Sequence, residues 1–194
     1  GVQTCALPIC NDRPYAGWSY LGSAYNERRA GSAGWPERLD SFELRLGMVG
    51  PLSLGQWSQD LIHDLRGFDK FQGWKNQLRN EPGVQAIVER KYRSGHDADS
   101  TADATVHFGA SVGNVATYLN AGLEVRAGIG IPDDFGSSPS RPAGNNTAPG
   151  TYRHAGRTGA PVAAHAFASF DLRAVARDLF LDGNTFVHKI GRAH

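Results

Sequence analysis

Residues 117–130 read Thr-Tyr-Leu-Asn-Ala-Gly-Leu-Glu-Val-Arg-Ala-Gly-Ile-Gly, and this stretch decides the fold. On an extended chain, Leu119, Ala121, Leu123, Val125, Ala127 and Ile129 share one face. Tyr118, Asn120, Gly122, Glu124, Arg126 and Gly128 share the other. Strands of soluble sandwiches usually run about five or six residues, whereas a strand crossing a bilayer needs roughly 9–11. The same alternation recurs in 41–49, where Phe42, Leu44, Leu46 and Met48 oppose Glu43 and Arg45. It recurs again in 104–113, where Val106, Phe108, Ala110 and Val112 oppose Thr105, His107, Gly109 and Ser111. Weaker strand patterns cover 16–25, 84–92 and 163–174. The reading is an all-β, antiparallel transmembrane β-barrel with Glu43, Arg45, Glu124 and Arg126 turned into the lumen and the apolar sets facing lipid. Alternation alone also fits a solvated sheet whose apolar side covers a soluble core.

Composition agrees with strands and turns. The 194 residues carry 24 glycines, one methionine and two cysteines, and no apolar run is long enough for a membrane helix. A net charge of +1 gives no electrostatic case for nucleic acid. The two extremities, GVQTCALPI and IGRAH, read as translations of a sequencing adapter. The expected organisation is therefore an adapter-derived segment at 1–9, a partial barrel domain at 10–188 and a second such segment at 189–194. With Cys5 and Cys10 set aside in this way, no disulfide or thiolate-metal argument remains.

One segment breaks the period of two. Residues 53–66 form a predicted amphipathic helix, with Ser53 and Gln56 at capping-box spacing and Gly67 just beyond the end. Trp57, Leu61 and Leu65 make an apolar stripe. Gln56, Gln59, His63 and Arg66 lie on a polar face, which suggests a rim helix in a loop. Gln59 and His63 are four apart and hence neighbours on that helix. An imidazole with an ordinary pKa can take a proton from water near neutrality. Asp60 and Asp64 are the nearby carboxylates that could alter its charge. A histidine on a polar helix face is more often simply solvated.

Three further stretches carry polar chemistry. Asp12 and Arg13 could grip a polar head group, while Tyr15 and Trp18 fit an interfacial aromatic girdle; the bland alternative is a turn leading into a strand. Residues 76–83 could line a site under the helix or simply form a loop returning to the next strand. Residues 131–161 are rich in Gly, Pro, Ser and Asn and read as a long loop, placed by strand counting on the rim opposite the helix. Residues 182–184, Asp-Gly-Asn, read as a tight turn. No metal-ligand spacing, Walker motif or nucleophile elbow is present.

Taken in order, NDRPYAG (11–17), LGMVGP (46–51), Gln59-x-x-x-His63, GWKNQL (73–78), Asn80-Glu81-Pro82-Gly83, Gly113-Asn114-Val115, 132–136 and Asp182-Gly183-Asn184-Thr185-Phe186 resemble the lipid A 3′-O-deacylase (LpxR) family. The resemblance implies a twelve-stranded outer-membrane barrel, of which about seven or eight strands are expected here. It implies a calcium-dependent ester hydrolase that removes the 3′-linked acyloxyacyl group of lipid A, acting as a monomer. His63 would be the general base and Gln59 would shape the site. The family's calcium-site Asn-Asp pair lies upstream of NDRPYAG and has no counterpart here, so Asn11-Asp12 is not that pair and the metal ligands stay unknown. On this reading the fragment itself is expected to be inactive and to insert poorly. The competing classes are a non-catalytic, porin-like or structural outer-membrane barrel and a soluble ligand-binding sandwich.

Overall fold

The computed structural model describes residues 14–32, 35–94, 100–136 and 164–186. Within them, six strands form one antiparallel sheet in sequence order: β1 (Trp18–Arg29), β2 (Glu37–Val49), β3 (Glu81–Ser94), β4 (Ala102–Gly113), β5 (Ala116–Ile129) and β6 (Ala164–Asp178). Each is 12–15 residues long, the length a tilted membrane strand needs. Each pattern read from the sequence has its strand, with the weaker ones running longer than read. The count among the described residues is six against the seven or eight expected.

The register puts the alternation to use. Leu46 pairs with Leu21 and Val84, and Leu123 with Val106 and Phe170. The outward face is therefore apolar from strand to strand, and its large side chains are exposed, Leu21 at 86%. The inward face carries Glu43, Arg45, Gln85, Lys91, Arg93, Asp103, Thr105, Glu124 and Arg126, all buried. A soluble sheet would bury the opposite set, so this polarity is that of a membrane barrel wall.

Buried charge demands pairing. Arg45 Nε donates to Glu43 Oε1 at 2.6 Å. Towards the end of the sheet opposite the rim helix, Asp103 accepts from Arg93 Nε at 2.9 Å and from Arg126 Nε at 2.8 Å. Segment 131–136 follows β5 at that same end, as strand counting places it, and folds onto the inward face. Asp133 Oδ1 receives Arg28 at 2.6 Å and Arg93 at 2.9 Å, while Asp134 receives Arg126 at 2.5 Å. Phe135 is buried beside Leu39, with the Arg28 guanidinium 5.5 Å from its ring centre. The described start of this loop thus packs on the inward face of the sheet. The remainder of the 131–161 loop lies outside the described residues.

The other end is stitched around Glu81, which is 1% exposed. Its carboxylate accepts from Asn114 Nδ2 at 2.9 Å, Asn184 Nδ2 at 3.1 Å and the Thr185 N–H at 2.7 Å. Residues 182–184 are not a free tight turn. A short helix, α2 (Leu179–Asp182), precedes them, and Gly183 closes it with φ 87° and its N–H on the Leu179 carbonyl. Asp178 accepts from the Phe180 N–H and so sets the helix one turn earlier. Beneath it, Val49, Leu78 and Leu179 form a small core, with Trp18 and Phe180 against it. Trp18 faces inward, its ring 4.5 Å from Tyr20, so it is not part of an outward aromatic girdle.

Asp103→Ala leaves the Arg93 and Arg126 guanidiniums buried without their shared acceptor. The expected loss is about 3–5 kcal/mol of stability, read as a lower urea midpoint of the folded protein. Leu21→Ala, on the outward face, should shift that midpoint far less.

Candidate functional site

A second departure from strand structure lies between β2 and β3. The Gly50 N–H bonds the Gly17 carbonyl at 3.0 Å, and the chain then enters a 3-10 turn at Pro51–Ser53. Helix α1 (Gly55–Arg66) follows, starting from Leu54 in the left-handed region at φ 59°. The expected capping box does not form. Pro51 starts a tight turn that absorbs Ser53, so the residue at the N-cap is Leu54 and Gln56 falls at the second helical position. Ser53 Oγ instead accepts from the Gly55 N–H at 3.3 Å. At the far end Gly67, φ 67°, caps the helix as its spacing predicted.

The chain then folds back along the helix. The Asp69 carbonyl meets His63 Nδ1 at 2.6 Å. A carbonyl can only accept, so Nδ1 carries a proton, and in the neutral ring the lone pair falls on Nε2. Phe68 and Phe71 flank the imidazole, with ring centres 6.0 and 5.0 Å away. Lys70 Nζ lies 2.8 Å from Asp64 Oδ2, and that hydrogen bond holds the Lys70 ammonium above its ordinary pKa. The orienting partner of His63 is therefore a backbone carbonyl, while Asp64 is engaged with Lys70. Local spacing pointed to Asp60 or Asp64 because the return of Asp69 depends on the Gly67 reversal.

The helix is docked through small residues. A Cβ on Gly17 would lie 2.2 Å from Ser53 Oγ and 3.1 Å from Gly55 Cα; one on Gly55 would lie 3.3 Å from the Trp74 ring. Trp74 sits in a 3-10 turn at Gly73–Asn76, its ring edge-on to Tyr15 at 5.3 Å. Its indole N–H donates to Gln59 Oε1 at 2.9 Å. Tyr15 is itself tied to this turn, its N–H on the Asn76 carbonyl at 3.0 Å and its carbonyl on the Leu78 N–H at 2.8 Å. Of residues 76–83, only the first five form the returning, stitched loop; 81–83 already belong to β3. Tyr15 and Gly17 continue the odd-numbered set of Leu21, Ser23 and Tyr25, which faces outward, whereas Trp18 and Tyr20 face in. The helix therefore lies against the outer side of the wall at its rim.

Between helix and wall opens a cleft of about 310 Å³ lined by Tyr15, Ala16, Gln59, Phe71 and Trp74. Gln59 lines it; His63 is not one of the lining residues but packs against Phe71, which is. The polar face read from the sequence is divided: Gln59 and His63 are half-buried towards the protein, Gln56 and Arg66 exposed. Tyr15, Phe71 and Trp74 were not singled out as site residues. GWKNQL contains Trp74, but a partner fifteen residues from Gln59 leaves no local signal. Asp12 and Arg13 lie outside the described residues. Among the described residues, no group of three His, Cys, Asp or Glu comes together as a metal site.

An apolar-out, charge-in wall with a histidine-bearing helix on its rim is the wall of a membrane β-barrel, its sheet not closed among the described residues. The chain belongs to the family described as outer membrane protein LpxR, which matches residues 3–192. This places it in the outer membrane. Among solved structures, LpxR from Salmonella typhimurium is similar with a TM-score of 0.64 at 20% identity, over 91% of this chain and 56% of that one. The likeness is one of fold, and the chain spans little more than half the length of that relative. No curated protein matches the chain.

Gly17→Val should displace α1, since the new side chain meets Ser53 and Gly55. Trypsin is expected to cut after Arg66 several-fold faster than in the unsubstituted protein, while cleavage within the sheet stays unchanged.

Proposed function

We propose that the cleft beside α1 hydrolyses an acyl ester of lipid A, removing the 3′-linked acyloxyacyl group, with His63 as general base. The observation that carries this is His63 with its Nδ1 on the Asp69 carbonyl and its ring packed against Phe71, a residue of the cleft wall. Nε2 takes a proton from water as its oxygen attacks the ester carbonyl. The tetrahedral adduct then collapses, and the sugar oxygen leaves with the proton held by the imidazolium. The products are a lipid A hydroxyl and the acyloxyacyl group released as its free carboxylic acid. The Asp69 carbonyl would stabilise the charged ring by accepting from Nδ1–H. Gln59, held by Trp74, would present its amide N–H groups to the cleft. Tyr15, Phe71 and Trp74 suit acyl chains better than a polar ligand.

Calcium belongs to the proposal as a requirement implied by the family, though among the described residues no three His, Cys, Asp or Glu side chains come together to hold a metal ion. The steps above rest on the chain's own side chains. A monomer suffices, since every named group comes from one chain. A porin-like barrel is less well supported, because 131–136 and its arginines fill one end of the inward face.

The test is the lipid A mass spectrum of a Gram-negative host. It expresses a gene that keeps residues 14–186 and extends to the length of the Salmonella relative. Loss of one acyloxyacyl group is expected, abolished by a calcium chelator and restored by calcium. His63→Ala should lower the rate by about 10²–10⁴-fold, and Trp74→Phe several-fold through Gln59. Unchanged lipid A with the barrel folded in the outer membrane would sink the proposal and favour a non-catalytic barrel.

A further inference from the structure

Helix α1 turns its polar flank to the protein and its apolar flank away from it. Gly55, Gln59 and His63 are half-buried against the wall, whereas Trp57 is 62%, Leu61 43% and Leu65 78% exposed. At about 100° per residue, the two sets lie on roughly opposite sides of the helix. Gln56, Asp60 and Asp64 fill one edge between them. In water an amphipathic helix does the reverse and hides its apolar stripe in the core. A contiguous exposed patch of this kind marks an interaction surface.

The occupant follows from where the helix is held. Gly17 and Tyr15 dock it on the outward side of β1, and that side continues into the apolar face of Leu21, Leu46 and Val84, which meets the outer membrane. The helix flank thus extends a surface already in lipid, and its acidic edge suits the head-group level. We propose that Trp57, Leu61 and Leu65 are immersed in the acyl chains of the outer membrane, so that α1 is a half-sunk partition between the bilayer and the cleft. An acyl chain would then reach Gln59 by passing around the helix, without leaving the apolar phase. The inference rests on the outer-membrane seating of the wall and not on the esterase reading.

The experiment places nitroxide labels on the extended protein described above, which keeps residues 14–186, with every native cysteine replaced by serine. The labelled variants are Leu61→Cys, Leu65→Cys, Asp64→Cys and, on the wall, Leu21→Cys. Each is folded into vesicles of phosphatidylethanolamine and phosphatidylglycerol. Relaxation by oxygen, which partitions into lipid, is compared with relaxation by a water-soluble nickel chelate. The expected result is an oxygen-to-nickel ratio at 61 and 65 close to that at 21, and several-fold above that at 64. Nickel-dominated relaxation at 61 and 65, with 21 still oxygen-dominated, would put the helix in water and overturn the proposal. Protection from both reagents would overturn it too, in favour of a covering protein segment or a second copy. Nickel-dominated relaxation at 21 would overturn the membrane seating itself. Because these side chains are exposed and make no core, the substitutions leave the fold intact.

Discussion

A backbone that crosses hydrocarbon must satisfy every N–H and C=O within the protein, and the rest of this structure depends on that constraint. Six strands meet it along the five ladders between them by pairing antiparallel in sequence order; among the described residues the outer edges of β1 and β6 pair with no further strand, so the sheet is not closed. Period-two side chains then leave no freedom. Once one face meets lipid, every charged residue of the alternate set is driven inward, and a slip of one residue would reverse all of them. The inward charges must find partners there, which is why Arg93 and Arg126 converge on Asp103. The same demand brings Asp133 and Asp134 from the following segment onto the inward face.

The two ends of the wall are built by different physics. At one end, ion pairs hold a short segment with a buried phenylalanine inside. At the other, the Glu81 carboxylate gathers backbone and amide donors from two separate turns. This leaves the 50–80 connection anchored at its base and free to carry a helix outside the wall. Glycines at 17 and 55 bring that helix close, and Trp74 fixes its roll by a single hydrogen bond to Gln59. The site therefore inherits its position from the rim and its access from the lipid side.

Much of this was legible beforehand. The alternation in 117–130 gave β5 and its facing almost residue for residue, because each side chain's environment there depends only on parity. Gly67 marked the helix end, since a left-handed cap has a residue-specific cost. The helix start was misplaced because Pro51 set a tight turn ahead of Ser53, a competition the capping pattern does not express. Trp18 was read as a girdle residue because an aromatic near a strand end looks alike from either side; its partners Tyr20 and Phe180 decide that it faces in.

The sequence by itself determined a two-faced sheet of long strands, a helix that interrupts it and the neighbouring of Gln59 with His63. Those features arise from periodicity and local backbone preference, which act over a few residues. Only the tertiary structure decided which side of the wall the helix occupies, which carbonyl orients the imidazole and which aromatics form the cleft. Those depend on contacts between Gly17 and Gly55, His63 and Asp69, and Gln59 and Trp74. The first and last of these pairs are separated by more than a dozen residues, and the second meets only through the reversal at Gly67. No repeating pattern along the chain encodes such a meeting.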